Sequence, residues 1–127
     1  MISNQRQDII ENYIAAYNNF DSDGMSRDLH EDILFENIHN GQVNLKTKGM
    51  ADFKTQAETA KKLFKQRQQK VINIKIKDNT AEVQIDFTGI LSDDPANGSQ
   101  ARAAISMTGN SIFVFEEGKI IRITDRS

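Results

Sequence analysis

The stretch from Tyr13 to Asn37 opens Tyr13-Ile-Ala-Ala-Tyr17-Asn-Asn-Phe20-Asp21-Ser-Asp23-Gly24-Met25 and closes His30-Glu-Asp-Ile33-Leu-Phe35-Glu-Asn37. Ile9, Tyr13, Ala16, Tyr17 and Phe20 recur at three- and four-residue intervals. Gln7, Asp8, Glu11, Asn12 and Asn18 fill the opposite side, which is the pattern of an amphipathic helix. Ser3 or Asn4 can cap its start, and Asp21-Ser22-Asp23-Gly24 stops it and caps a short second helix over Gly24 to Leu29. From Ile33 to His39 the period becomes two, as in a strand.

Asn40-Gly41 is the favoured pair for a two-residue hairpin turn, so Val43 to Lys48 returns antiparallel. Gly49 breaks that strand. Met50, Phe53, Ala57, Ala60 and Phe64 then mark one face of a third, longer helix. From Arg67 the period is again two. Ile72, Ile74 and Ile76 alternate with polar residues, Asp78-Asn79 turns the chain, and Val83, Ile85 and Phe87 alternate on the way back. Residues 93–99 carry the sole proline and read as a loop. Ile105 to Phe115 and Lys119 to Thr124 are two further strands, joined at Glu117-Gly118. These elements make one α+β domain over residues 1–127, with three N-terminal helices on an antiparallel sheet of about six strands.

Composition narrows the function. One domain of 127 residues can bury a core, and a net charge of −2 speaks against a nucleic-acid binder acting through bulk charge. The absence of cysteine removes disulfides, a thiol nucleophile and thiolate metal sites. The chain is polar from its third residue, and no apolar run approaches the roughly 20 residues that span a bilayer. The expectation is a cytoplasmic protein with no membrane or nucleic-acid partner.

The helix–turn–helix–strand opening, together with Phe113-Val-Phe115-Glu-Glu-Gly118-Lys-Ile-Ile121, resembles the NTF2-like, or SnoaL-like, superfamily, which includes ketosteroid isomerases. The resemblance covers essentially the whole chain. It implies a cone: a strongly bent sheet closed by helices around a small-molecule pocket. In the isomerases a helix-borne tyrosine and a protonated aspartate stabilise an oxyanion while a second aspartate moves the proton. Tyr13 falls on the tyrosine, but Asn37 falls on the base and Ser111 on the protonated aspartate. An amide cannot abstract a proton near neutral pH, so the resemblance does not extend to that reaction.

It does imply which faces look inward: Phe35, Asn37 and His39; Val83, Ile85 and Phe87; Met107, Ser111 and Phe113; Ile121, Ile123 and Asp125; and Phe53, Gln56 and Ala60 on the third helix. Asp125 is then the ionisable carboxylate on the inner face of the last strand. It is the candidate acid/base, with Tyr13 as oxyanion donor and Asn37 and Ser111 orienting substrate. Tyr17, Phe35, His39, Phe53, Gln56, Phe87, Met107 and Phe113 complete the candidate substrate contacts. A surface pair between Asp125 and Arg122 or Arg126 is the competing reading, and a hydrogen bond from Asn37 or Tyr13 is expected if the carboxylate faces inward.

Other motifs have ordinary explanations. Asn19 to Gly24 imitates the start of a calcium loop, but His30 occupies the place of the required bidentate glutamate. His30, Glu31, Asp32, Glu36 and His39 invite a metal, yet Glu36 and His39 point to opposite faces of a strand. The basic run Lys61 to Lys70 reads as a cationic helix C-terminus. No metal and no cofactor are expected. Ile72, Ile74, Ile76, Ile112 and Val114 face away from the cavity in this scheme, which predicts a homodimer through the outer sheet face. Three functions stay open: an acid/base enzyme of isomerase, cyclase or dehydratase type on a small apolar substrate, a non-catalytic ligand-binding module, and a dimeric interaction module.

Overall fold

The computed structural model describes residues 3–92 and 104–127; the proline-bearing loop at 93–99 lies outside the described residues, as do the side chains of Ser3 and Asn4. The chain runs α1 (Ser3–Asn18), α2 (Ser22–Ser26), β1 (Leu29–His39), β2 (Gln42–Lys48), α3 (Met50–Lys61), β3 (Phe64–Lys77), β4 (Thr80–Leu91), β5 (Ala104–Glu116) and β6 (Lys119–Arg126). This is the expected α+β class, with two corrections. The helices are one of 16 residues, one of five and one of 12, so a single long helix and two short ones stand where three were expected. The six strands form one mixed sheet in the order β2-β1-β6-β5-β4-β3, with β1 and β6 parallel. Periodicity locates strands but carries no information on which non-sequential strands meet.

Helix α1 buries a broader stripe than the expected one, because Ile10 and Ile14 join Tyr13 and Ala16 in the core. It ends in a Schellman-type cap: Asp21 N donates to Ala16 O at 2.9 Å and Phe20 N to Tyr17 O at 3.1 Å. Phe20 takes the left-handed position at φ 57°, where glycine is usual. The Asp21 carboxylate then accepts from Gly24 N at 3.0 Å and caps α2. At the tight hairpin turn Asn40 and Gly41 both have positive φ, as a type I′ turn demands.

Three of the register shifts in the sheet reset strand faces that matter here. Val71 pairs with Ile85 and Asn73 with Gln84, so Ile72 is the extra residue and is 48% exposed. Beyond it Ile74 and Ile76 pair with Val83 and Ala81 and pack against the core, contrary to their expected outward orientation. In β6 the slip at Val114/Phe115 gives the core position to Ile120, fully buried opposite Phe115, rather than to Ile121. In β2 the slip between Asn37 and Ile38 makes Asn44 the extra residue. The third helix also ends earlier than read. Phe64, Lys65, Arg67 and Lys70 belong to β3, whose pairing with β4 overrides the good helix propensity of that run.

Phe113, Ile10, Leu29, Ile33, Ile120, Ile123 and Val83 are the largest fully buried side chains. They sit between α1 and the inner sheet face. Asn44 and Leu45 on one edge strand and Arg67 and Gln69 on the other line the same cavity. Six flat strands would separate those edges by about 24 Å. The sheet therefore curls around its inner face, and the cavity is the space left inside the curl.

Candidate functional site

The cavity has a volume of about 480 Å³, within the usual range for small-molecule sites. Its wall is aromatic and aliphatic. Phe35 and Phe53 meet edge to face at 5.9 Å, and Phe87 meets Tyr17 at 6.4 Å and Phe64 at 5.6 Å. Gly89 makes the last contact feasible, since a Cβ there would lie 3.0 Å from the Phe64 ring. Polar residues interrupt this wall at several places, and at two of them an ionisable group is withdrawn from bulk water.

The first is Asp125 on β6. It pairs in register with Ser111 of β5 and Asn37 of β1, which turns all three toward the cavity. Ser111, itself buried, donates from Oγ to Asp125 Oδ1 at 2.5 Å. The carboxyl is withdrawn from bulk water, and burial raises its pKa from 3.8 to about 6, against the lowering effect of the Ser111 hydrogen bond. The donor is thus Ser111, not Asn37 or Tyr13. Asn37 instead donates to Asn44 Oδ1 at 2.8 Å, across the bulge that brings Asn44 to the cavity. The surface pairing is not formed either. Arg122 bonds to Glu36 at 2.7 Å on the outer face.

The second polar place is Arg67 on β3, which the sequence reading left among solvated helix-end cations. It is 6% exposed and lines the cavity. Nε donates to the Tyr17 carbonyl at 2.9 Å, and the guanidinium lies 3.8 Å over the Tyr17 ring and 4.6 Å from that of Phe20. Among the described residues no carboxylate pairs with it, and buried Nη2 has no hydrogen-bond partner. A sequence signal existed: Arg67, Gln69 and Val71 alternate with the exposed Gln66, Gln68 and Lys70. The change of period from Arg67 was legible, but reading the basic run as a helix C-terminus left its charge in solvent.

Tyr13 and Tyr17 stand on α1, within the electrostatic reach of both poles. Burial is the main cause that raises Tyr13 well above the ordinary phenol range, and the Asp125 charge adds to it. Burial raises Tyr17 to about 12 although the Arg67 charge pulls the other way. Both phenols are neutral hydrogen-bond donors at any ordinary pH.

The remaining candidate residues are placed as follows. Tyr13, Tyr17, Phe35, Asn37, Phe53, Gln56, Phe87, Ser111 and Asp125 line the cavity, with Met107 and His39 at more exposed positions of its wall. His39 Nδ1 lies 3.1 Å from Ser127 Oγ. Phe113 does not line the cavity; it is buried beneath Tyr13, ring to ring at 5.7 Å. Glu36 faces the other side of the sheet, in its pair with Arg122, so it cannot join His39 around an ion.

A curled sheet with helices over its inner face and a pocket carrying few polar groups defines a small-molecule-binding α+β domain. The chain belongs to the SnoaL-like domain family, whose model matches residues 10–123. A putative polyketide cyclase from Xanthomonas campestris pv. campestris superposes with a TM-score of 0.79 at 19% identity, over 98% of this chain and 90% of that one. AclR, a putative hydroxylase from Streptomyces galilaeus, gives 0.75 at 18% identity, over 98% and 89%. A hypothetical protein with a ketosteroid isomerase-like fold from Catenulispora acidiphila, solved in complex with trimethylamine, gives 0.75 at 8% identity, over 92% and 82%. Likeness at these identities establishes the fold alone. Comparison with curated protein sequences finds no match.

Proposed function

We propose that this protein is an acid/base enzyme that moves a proton on a small, largely apolar substrate, in the manner of an isomerase, cyclase or dehydratase. The observation that carries this reading is Asp125: a carboxyl in the cavity wall, bonded to Ser111, with a pKa of about 6. Near neutral pH it is mostly ionised yet basic enough to accept a proton from carbon or oxygen, which is the compromise a general base requires. Tyr13 is the donor to the developing oxyanion, and Asn37 orients the substrate. Ser111 positions Asp125 through its hydrogen bond. The cyclase and hydroxylase descriptions of structural neighbours fit a pocket of this kind without choosing among the reactions.

The test is proton exchange. A panel of small cyclic enolisable ketones in heavy water, followed by NMR, is expected to contain a member whose α-deuteration the protein accelerates. The rate rises with pH through about 6 and falls at least about 100-fold in Asp125→Asn. Undiminished exchange in that variant removes the acid/base role and leaves a ligand-binding module. For assembly we propose a homodimer through the outer sheet face. Its support is now Ile112 and Val114, half-buried beside Thr124 and Arg122 in register, without the inward-facing Ile74 and Ile76.

A further inference from the structure

Arg67 is a buried cation without a counter-ion. Arginine is almost never this deeply buried unless paired, because removing its charge from water costs several kcal/mol. Here the compensation is partial. Nε goes to the Tyr17 carbonyl, the Tyr17 side chain is a further hydrogen-bonding neighbour, and two aromatic faces receive the guanidinium plane. Nη2 bonds to nothing. The site is also held rigidly from two directions. Asn18 clamps the next cavity-facing residue of β3 through both its amide atoms, donating to Gln69 O at 3.0 Å and accepting from Gln69 N at 2.7 Å. Phe20 is kept in the left-handed conformation that brings its ring to the guanidinium. A bulky residue there costs about 1–3 kcal/mol unless its surroundings hold it.

We propose that Arg67 is the anion-recognising pole of the cavity, and that the ligand is a small aromatic or alicyclic acid whose carboxylate or acidic enolate is the missing counter-ion. The Tyr17, Phe64 and Phe87 rings receive its apolar body on the Arg67 side, and the reactive carbon lies toward Asp125 and Tyr13. This rests on the reading of the cavity as a small-molecule site and adds the charge of the substrate to it. A purely structural Arg67, holding the end of α1 to β3, is the alternative. It predicts no preference for charge.

The experiment compares naphthoate with its uncharged isostere naphthamide by calorimetry at neutral pH. The wild type is expected to bind the anion at least about tenfold more tightly, as a buried charged hydrogen bond requires. Arg67→Met abolishes the preference and Arg67→Lys keeps part of it. Equal affinities in the wild type, weak or strong, overturn the proposal with no variant needed, and so does an undiminished preference in a folded Arg67→Met. Asp125→Asn separates this inference from the catalytic one. It abolishes proton exchange and leaves the anion preference intact.

Discussion

Arg67 engages Tyr17 twice, donating from Nε to its backbone carbonyl at 2.9 Å while the guanidinium lies 3.8 Å over its ring. The same carbonyl accepts from Phe20 N in the terminal turn of α1. One side chain thus caps the negative end of the helix dipole, stacks on the residue it caps and closes one side of the cavity. Secondary structure, packing and the site's electrostatics meet in this contact.

The clamp between Asn18 and Gln69 predicts a local loss of stability. Asn18→Ala removes two hydrogen bonds that stand in for a neighbouring strand along the β3 edge. At about 1 kcal/mol each, the variant is destabilised by about 2 kcal/mol in urea titration. Amide exchange at Gln69 should accelerate more than at Val83 in the core. Unchanged Gln69 protection contradicts the clamp.

Asp125 predicts a pH-dependent stability of unusual sign. Its folded-state pKa, about 6, lies above the ordinary 3.8, so the folded state holds the proton more tightly than the unfolded chain. Its contribution is fully present below about 3.8 and is lost as pH rises through about 6. Asp125→Asn, uncharged at all pH, is therefore more stable than wild type at neutral pH, by about 1–2 kcal/mol after discounting for partial exposure. The gap closes toward pH 3.8 in thermal melts. Ser111→Ala removes the bond that lowers the pKa, and NMR titration of the carboxyl should show it moving above about 6. A gap that widens on acidification sinks this assignment.

The outer-face dimer predicts a particle of twice the 14.4 kDa chain mass at micromolar concentration. Ile112→Glu places a charge in the middle of that face, opposite Glu82 in register, and is expected to give monomers in light scattering. A wild type that is already monomeric removes the dimer.

Helix α1, the Asn40-Gly41 hairpin, the α+β class and most of the inward-facing residues were legible in the sequence. Each is a local consequence of side-chain period or turn chemistry. The inward placement of Asp125 was legible too, because β6 keeps strict alternation from Ile123 onward. Local pattern failed where a single bulge or a distant partner decides. One extra residue at Ile72 turned Ile74 and Ile76 inward, and one slip exchanged Ile121 for Ile120. The parallel β1–β6 pairing joins strands about 90 residues apart, for which no periodic signal exists. Arg67 is the clearest case. The period of two from Arg67 was legible, but only the pairing of β3 with β4 and the closure of α1 over it bury the charge. The sequence alone determined which residues can lie on an inner face; the curl of the sheet decided that Asp125 and Arg67, from strands far apart in the sheet, would meet in the wall of one cavity.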